Sequence, residues 1–309
     1  MFTHMRRTEL HMKKSLVTGG AGFIGSHIVD KLLDLGHKVV VVDNESSDGH
    51  DGYYWNDKAE NHKADIRNFE EIAPLFHGVD YVFHLAAKAS VQASVDDPLP
   101  TISTQVMGTA NVLEASRLAG VERLAYSSTS ACYGNRNPIP NQEGMREDPL
   151  NAYAIGKLSG EQLVRAYYHL YGMKTVAFRY TNVYGERARH VGTYAPAVSK
   201  FLKAKKNHTP ITIFGDGEQR RDFIHVADVA HANTLISYTE LDTWGETFNI
   251  GFGKNWSINE IAESIGGDIQ HLEGRPGEMR ETLANIDKAI AQLNWKPKVN
   301  IIDWIKGQL

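Results

Sequence analysis

The chain has 309 residues and a formal charge of −4 at pH 7, enough for one large domain or two smaller ones, with no basic excess to suit a nucleic-acid partner. Cys132 is the only cysteine, which excludes an intrachain disulfide and a multi-cysteine metal site and suits a reducing, cytoplasmic setting. No apolar run reaches the length of a membrane span, so no membrane partner is expected.

Met1 to His11 is polar and basic, lacks the apolar centre of a signal peptide and is expected to stand outside the fold as a flexible extension. Lys13 to Thr18 reads as a strand, "GGAGFIGSH" as a turn, "IVDKLLDLGHK" as a helix, and "VVVVD" as a strand covered on both faces. This is a βαβ unit. Asn44 to His62 is a long polar loop in which Tyr53 and Trp55 stand out. A helix over Phe69 to Phe76 and the strand "YVFHLAA" follow. Then come a long helix closed by Gly120, the strand "RLAYSS", a helix from about Ala152 to Leu170, and the strand "KTVAFRY". The alternation predicts an α/β protein with a doubly wound parallel sheet of Rossmann type over 12–180.

The pattern changes after Tyr180. A loop and one basic helix fill Asn182 to Thr209, and "ITIFGDGEQRRDFIH" reads as a strand and a loop. "VADVAHANTLISY" and "TFNIG" are expected to return to the first domain, over about 223–251. "SINEIAESIG" and the tail from "NIDKAIAQLNW" are expected to form helices of a smaller, discontinuous α/β substrate domain made of 181–222 and 252–309.

Gly19, Gly22 and Gly25 stand between a strand and a helix as G-x-x-G-x-x-G. Such a turn lets backbone N–H groups reach a pyrophosphate, and a side chain at Gly22 would stand in its way. Asp43 ends the next strand, where a carboxylate accepts hydrogen bonds from an adenosine ribose. Asp65 and Ile66 are expected to flank the adenine. Tyr153 and Lys157, four residues apart, share one helix face. A phenol is a poor base at neutral pH, but a nearby ammonium favours the phenolate. Thr129, at the end of the preceding strand, is placed to pass a proton between a hydroxyl and Tyr153.

These motifs resemble those of the extended short-chain dehydrogenase/reductases, and specifically of nucleotide-sugar 4-epimerases. They are TGGAGFIG at Thr18 to Gly25, Asp43, HLAA at His84 to Ala87, SSTSACYG at Ser127 to Gly134, YAIGK at Tyr153 to Lys157, RYTNVYG at Arg179 to Gly185 and RRDFIHVADV at Arg220 to Val229. The resemblance runs from about Met12 to Leu309. It implies that NAD lies against the three glycines, Phe23, Ile24, Asp43, Asn44, Asp65, Ile66, Leu85, Ala86, Ala87, Tyr153, Lys157 and Tyr180. It implies that Tyr153 is the general base, Lys157 its electrostatic partner and Thr129 a proton-transfer hydroxyl that also meets the substrate. Asn182, Arg221 and Arg275 would hold the diphosphate of a UDP-sugar, Glu278 the nucleotide ribose, and Thr282 would wall the sugar pocket. Gln105 replaces the Asn usual in such chains. His84 and His225 are expected to be structural, and no metal signature such as HExxH occurs.

Where 4,6-dehydratases of this family carry T-D-E, this chain reads Thr129-Ser130-Ala131. Neither Ser130 nor Ala131 can do carboxylate acid–base work. That favours epimerisation, which needs no further group, over dehydration or decarboxylation. A reductase that exchanges its cofactor and a non-catalytic cofactor-binding regulator are the other classes. A small residue at Thr282, together with "GTYAPAV" at Gly192 to Val198, resembles enzymes that take N-acetylated sugars as well as glucose and galactose. UDP-glucuronate is the rival sugar, because Arg189 aligns with an arginine of uronate epimerases, although those carry Thr where this chain has Asn182. The resemblance also implies a homodimer through the helices Thr104 to Leu118 and Ala152 to Leu170, with Ala110, Leu113, Leu163, Val164 and Tyr167 expected to be among the apolar residues in excess of the sheet-covering face.

Overall fold

A computed structural model describes residues 12–47, 52–189, 196–274 and 279–309. The expectation for Met1 to His11 lies outside them. The chain runs β1 (Lys14–Thr18), α1 (Phe23–Asp34), β2 (Lys38–Asp43), β3 (Glu60–Lys63), α2 (Phe69–Ile72), β4 (Tyr81–His84), α3 (Val91–Asp96), α4 (Pro98–Ile102), α5 (Thr109–Ala119), β5 (Arg123–Thr129), α6 (Ala152–Tyr171) and β6 (Lys174–Tyr180). It continues with β7 (Asn182–Tyr184), α7 (Ala197–Lys206), β8 (Ile211–Phe214), β9 (Arg220–His225), α8 (Val226–Leu235), β10 (Glu246–Ile250), β11 (Asn255–Ser257), α9 (Ile258–Ile265), β12 (Ile269–Leu272), α10 (Asp287–Leu293) and α11 (Ile301–Lys306).

Seven parallel strands form the main sheet in the order β10-β6-β5-β4-β1-β2-β3. Helices cover both faces. On one, Ile28, Val29 and Leu32 of α1 pack with Val229, Ala232 and Leu235 of α8 against Val17, Val41 and Phe83. On the other, Val112 and Leu113 of α5 and Val164 of α6 pack against Leu16, Val82 and Leu124. Strands covered this way are nearly all apolar, which is why "VVVV" was readable as one. Chain order reverses between β1 and β4, and a crevice opens there beyond the carboxyl ends of the strands.

A smaller α/β lobe holds two further sheets, β11-β9-β7 and β12-β8. Its core joins Phe201 of α7, Phe223, Trp256, Ile261 and Ile265 of α9, and Ile301 and Ile305 of α11. β10 pairs with β6 at one edge of the main sheet, and α8 packs on its core.

Several details differ from the sequence reading. The end of the polar loop, Glu60 to Lys63, is the edge strand β3, paired with β2. Its side chains are largely exposed, so it shows no apolar signal. The long helix before Gly120 is interrupted by a π-helical stretch, Ser103–Gly108. Gly120 closes it in the left-handed region, φ 72°. α10, expected in the smaller lobe, places Ala289 and Leu293 in the main core. Leu113 and Val164, expected in excess of the sheet-covering face, are buried under the sheet, because that face is wider than a two-residue stripe. Ala110, Leu163 and Tyr167 are half-buried, and the exposed apolar side chains of this region include Leu99, Met107, Leu118, Ile155 and Leu170.

Among the described residues no helix is long and apolar enough to cross a membrane, and no cluster of His, Cys, Asp or Glu is arranged to hold a metal ion.

Candidate active site

The crevice at the β1/β4 reversal is built around glycines. Gly19 leaves β1 with φ +68°, and a Cβ there would meet the backbone N of Ala86 at 2.7 Å. A Cβ on Gly25 would meet Gly19 O at 2.1 Å. Only Gly allows β1, the turn and the loop after β4 to approach this closely. Gly22 differs, since a Cβ there would meet nothing nearer than Gly19 O at 3.4 Å. It caps α1 without a side-chain hydrogen bond, and the first turn of α1 carries no acid. The positive end of a 12-residue helix therefore faces an open cleft.

That cleft, about 1040 Å³, gathers most of the expected cofactor residues. Gly19, Gly22, Phe23, Ile24 and Gly25 form its floor. Asp43, Asn44 and Ile66 line it beyond β2, Leu85, Ala86 and Ala87 beyond β4, and Tyr153, Lys157 and Tyr180 at the end near β5 and β6. Asp65 does not line it. Its carboxylate is held by Arg67 Nη2 at 2.7 Å and Asn44 Nδ2 at 2.9 Å, which keeps it well below the usual carboxylate range. Asp43 accepts from the N–H groups of Glu45 (2.8 Å) and Ala21 (3.2 Å), while burial pushes its carboxyl up. Ser46, Ser47 and Tyr53 of the polar loop also line the cleft, as do Ser127 and Ser128. The two serines lay inside a motif already singled out, but the loop residues carried no spacing signal.

At the far end, α6 carries the catalytic candidates. Asn151 caps it by accepting from Ala154 N at 2.9 Å, and Ser94 Oγ accepts from Tyr153 N at 3.1 Å. The Thr129 side chain lies close to the Tyr153 phenol. Burial pushes the Tyr153 phenol up to about 12, against the opposing pull of Thr129. Lys157 donates to Ser127 O at 2.7 Å, and burial lowers it to about 8. So in the protein alone burial opposes the charged forms of both the phenol and the lysine. Thr129 also accepts from Ala131 N at 3.2 Å, which fixes its hydroxyl at the start of a 3₁₀ turn over Ser130–Tyr133.

A buried ion pair braces this end. Arg179 Nε and Nη2 reach Glu161 at 2.9 and 2.7 Å, and Ser128 donates to the same carboxylate. His84 sits between Thr18 Oγ1 (2.6 Å) and Thr109 Oγ1 (3.0 Å), and burial lowers it to about 3. His225 accepts from Ala227 N at 3.2 Å, capping α8. Gln105 donates to Lys88 O at 3.0 Å, and its side-chain oxygen fills the space over Gly156, where a Cβ would meet it at 2.2 Å.

A second cavity in the smaller lobe is lined by Asn182 and Arg221 among others. Asn182 Nδ2 donates to Asp222 O at 2.9 Å and lies 3.5 Å from Thr282 Oγ1. Thr282 thus stands beside Asn182, with its Oγ1 also accepting from Asp222 N at 3.3 Å, but it is not among the residues that line this cavity. Arg275, Glu278 and the first part of "GTYAPAV" lie outside the described residues.

The glycine cradle, the open end of α1 and the Tyr–Lys pair at one reversal point fit a nicotinamide dinucleotide. Residues 15–251 match the model of the NAD dependent epimerase/dehydratase family, and the chain belongs to that family. A provisionally named UDP-glucose 4-epimerase of Methanocaldococcus jannaschii is 40% identical over 94% of this chain and 95% of its own. The UDP-glucuronate 4-epimerase of Thermodesulfobacterium geofontis is 37% identical over 94% and 93%. The solved UDP-N-acetylglucosamine 4-epimerase of Methanobrevibacter ruminantium M1, in complex with UDP-N-acetylmuramic acid, superposes with a TM-score of 0.87 at 33% identity, over 96% of this chain and 99% of that one.

Proposed function

We propose that the protein is an NAD-dependent 4-epimerase of UDP-hexoses, acting on UDP-glucose and UDP-galactose and on their N-acetylated counterparts. The observation that carries this reading is Thr129, close to the Tyr153 phenol, followed by Ser130 and Ala131, with no carboxyl group at the two positions where a dehydratase needs them. NAD⁺, if bound in the cleft, would supply the cationic ring and the reversible hydride acceptor that C4 of the sugar needs. The residues do the rest. Tyr153 takes the proton of the 4-hydroxyl, Thr129 relays it, and Lys157 supplies the field that favours the phenolate and holds ribose hydroxyls. Asn182, Arg221 and Arg275 grip the UDP diphosphate, Glu278 the ribose, and the 4-keto sugar turns over within a pocket walled by Thr282. Arginine suits the diphosphate because its planar fork matches two oxygens at once.

The wall residue bears on the sugar. Threonine is smaller than tyrosine, so a 2-acetamido group has room on both faces of the turning sugar. Thr282→Tyr is expected to cut turnover of UDP-N-acetylglucosamine far more than turnover of UDP-glucose, measured at matched concentrations. Equal losses, or no acetamido turnover in the parent enzyme, would remove support for the broader specificity.

UDP-glucuronate is the second reading, favoured by the uronate epimerase relative and by Arg189 in the cleft. Against it, Asn182 stands where uronate epimerases have threonine. Chromatography of products from UDP-glucuronate decides between them.

A further inference from the structure

Arg189 lies just beyond β7, on the segment that leaves the smaller lobe, yet it lines the cofactor cleft with Gly22 and Phe23. Its Nε is buried and has no hydrogen-bond partner among the described residues. A guanidinium nitrogen shut away from water and unpaired costs free energy unless a ligand pairs it.

The segment before it is pinned to the nucleotide lobe. His27 Nε2 lies 2.9 Å from Glu186 O, Arg187 Nη2 donates to Asp30 Oδ2 at 2.7 Å, and the Arg187 guanidinium stands 5.3 Å over the Tyr54 ring. Asn56 Nδ2 donates to the other oxygen of Asp30 at 2.8 Å, and Tyr54 N donates to Ala21 O at 2.9 Å. Both Asp30 and His27 belong to α1. Two segments remote in sequence therefore meet over the first turns of the helix whose open N-terminus faces the cleft, and Arg189 follows from one of them.

We infer that Arg189 binds the diphosphate of the dinucleotide cofactor, closing it from above while the N-terminus of α1 holds it from below. This rests on the reading of the cleft as an NAD site. Three observations favour this anion over one on the substrate. Arg189 lines the cleft of the glycine turn, not the second cavity where Asn182 and Arg221 stand. The other cation of that cleft, Lys157, is committed to Ser127 O at the catalytic end. The acid of the cleft, Asp43, lies at the ribose end and already accepts two backbone N–H groups. The diphosphate thus gains a planar donor from the substrate lobe, and cofactor retention becomes linked to the approach of that lobe.

The test uses cofactor-stripped protein and calorimetry, with NAD⁺ and ADP as diphosphate probes and adenosine, by competition, as the probe without phosphate. Arg189→Gln is expected to weaken NAD⁺ and ADP by at least about tenfold and leave adenosine unchanged. Arg189→Lys should recover part of the loss, since it restores charge without the fork. Circular dichroism and thermal unfolding check that each variant folds. If parent protein binds NAD⁺ and Arg189→Gln binds it equally well, the inference is overturned while the cofactor reading stands. If Arg189→Gln spares NAD⁺ but raises KM for UDP-glucuronate, the residue serves the sugar and the inference is likewise overturned. If the parent protein binds neither NAD⁺ nor ADP, the cofactor reading itself fails.

Discussion

The spacing of Tyr153 and Lys157 fixes a shared helix face, but singling them out as a pair also needed the glycine turn upstream. Their electrostatics were not legible in the sequence. Burial dominates both groups, so the free protein opposes the phenolate instead of favouring it. Tyr153→Phe keeps the ring and its packing but removes the base. Turnover is expected to fall by at least about 100-fold with NAD still bound, as measured by product formation and by cofactor released on denaturation. Near-parental turnover would show the base to be another group. Lys157 gives a prediction with a sign. Its folded value, about 8, lies below the ordinary 10.5, so the unfolded chain binds more protons between these values. Stability of the stripped protein should rise with pH across that window, and the cost of the buried ammonium is fully present below about pH 8. Lys157→Met should therefore raise Tm by roughly 2–4 °C at pH 7, abolish turnover, and lose its stabilising effect towards pH 10.5. A lower Tm for the variant at pH 7 would contradict this.

At the scale of elements, the glycine turn separates folding from binding. Gly25 has no room for a Cβ, which would meet a backbone oxygen at 2.1 Å, whereas Gly22 has ordinary contact distance. Gly25→Ala should lower Tm sharply. Gly22→Ala should unfold within a few degrees of the parent yet lose most bound NAD, because its methyl group occupies space the phosphates need. Thermal melts and cofactor content of both variants check this, and a Gly22→Ala protein that retains full NAD would contradict the account of the turn. The apolar strands and long helices of the main sheet were readable because burial on both faces leaves an uninterrupted hydrophobic run. β3, β7 and β11 were not, since they have only three or four residues. β3 is also a polar edge, and the pairing of β7 with β9 and of β9 with β11 depends on contacts far apart in sequence.

For the whole molecule, the βαβ alternation up to Tyr180 foretold the parallel sheet. The split between lobes was less legible, because α10 follows the smaller lobe in sequence but packs on the main core. Of the side chains read in the sequence for a homodimer, Leu113 and Val164 are buried and Ala110, Leu163 and Tyr167 half-buried. Met107, Leu118 and Ile155 are exposed on the helices that the resemblance pairs across a two-fold axis, and Leu99, on the neighbouring α4, is 75% exposed. The parent protein is expected to sediment at twice the 34.4 kDa chain mass. Met107→Glu combined with Ile155→Glu should shift it to a single chain with its NAD retained. A parent protein that sediments as one chain at micromolar concentration would refute the dimer.

The most direct test of the central claim follows deuterium at C4. Purified protein is given C4-deuterated UDP-glucose and, separately, C4-deuterated UDP-N-acetylglucosamine, and the products are separated and weighed by mass spectrometry. Epimerisation predicts the C4 epimer of each, with the label retained at C4 and no net change in added NAD, because the hydride that leaves C4 returns to it. A keto-deoxy product, a reduced sugar formed with stoichiometric use of NADH, or an epimer that has lost its label would contradict it.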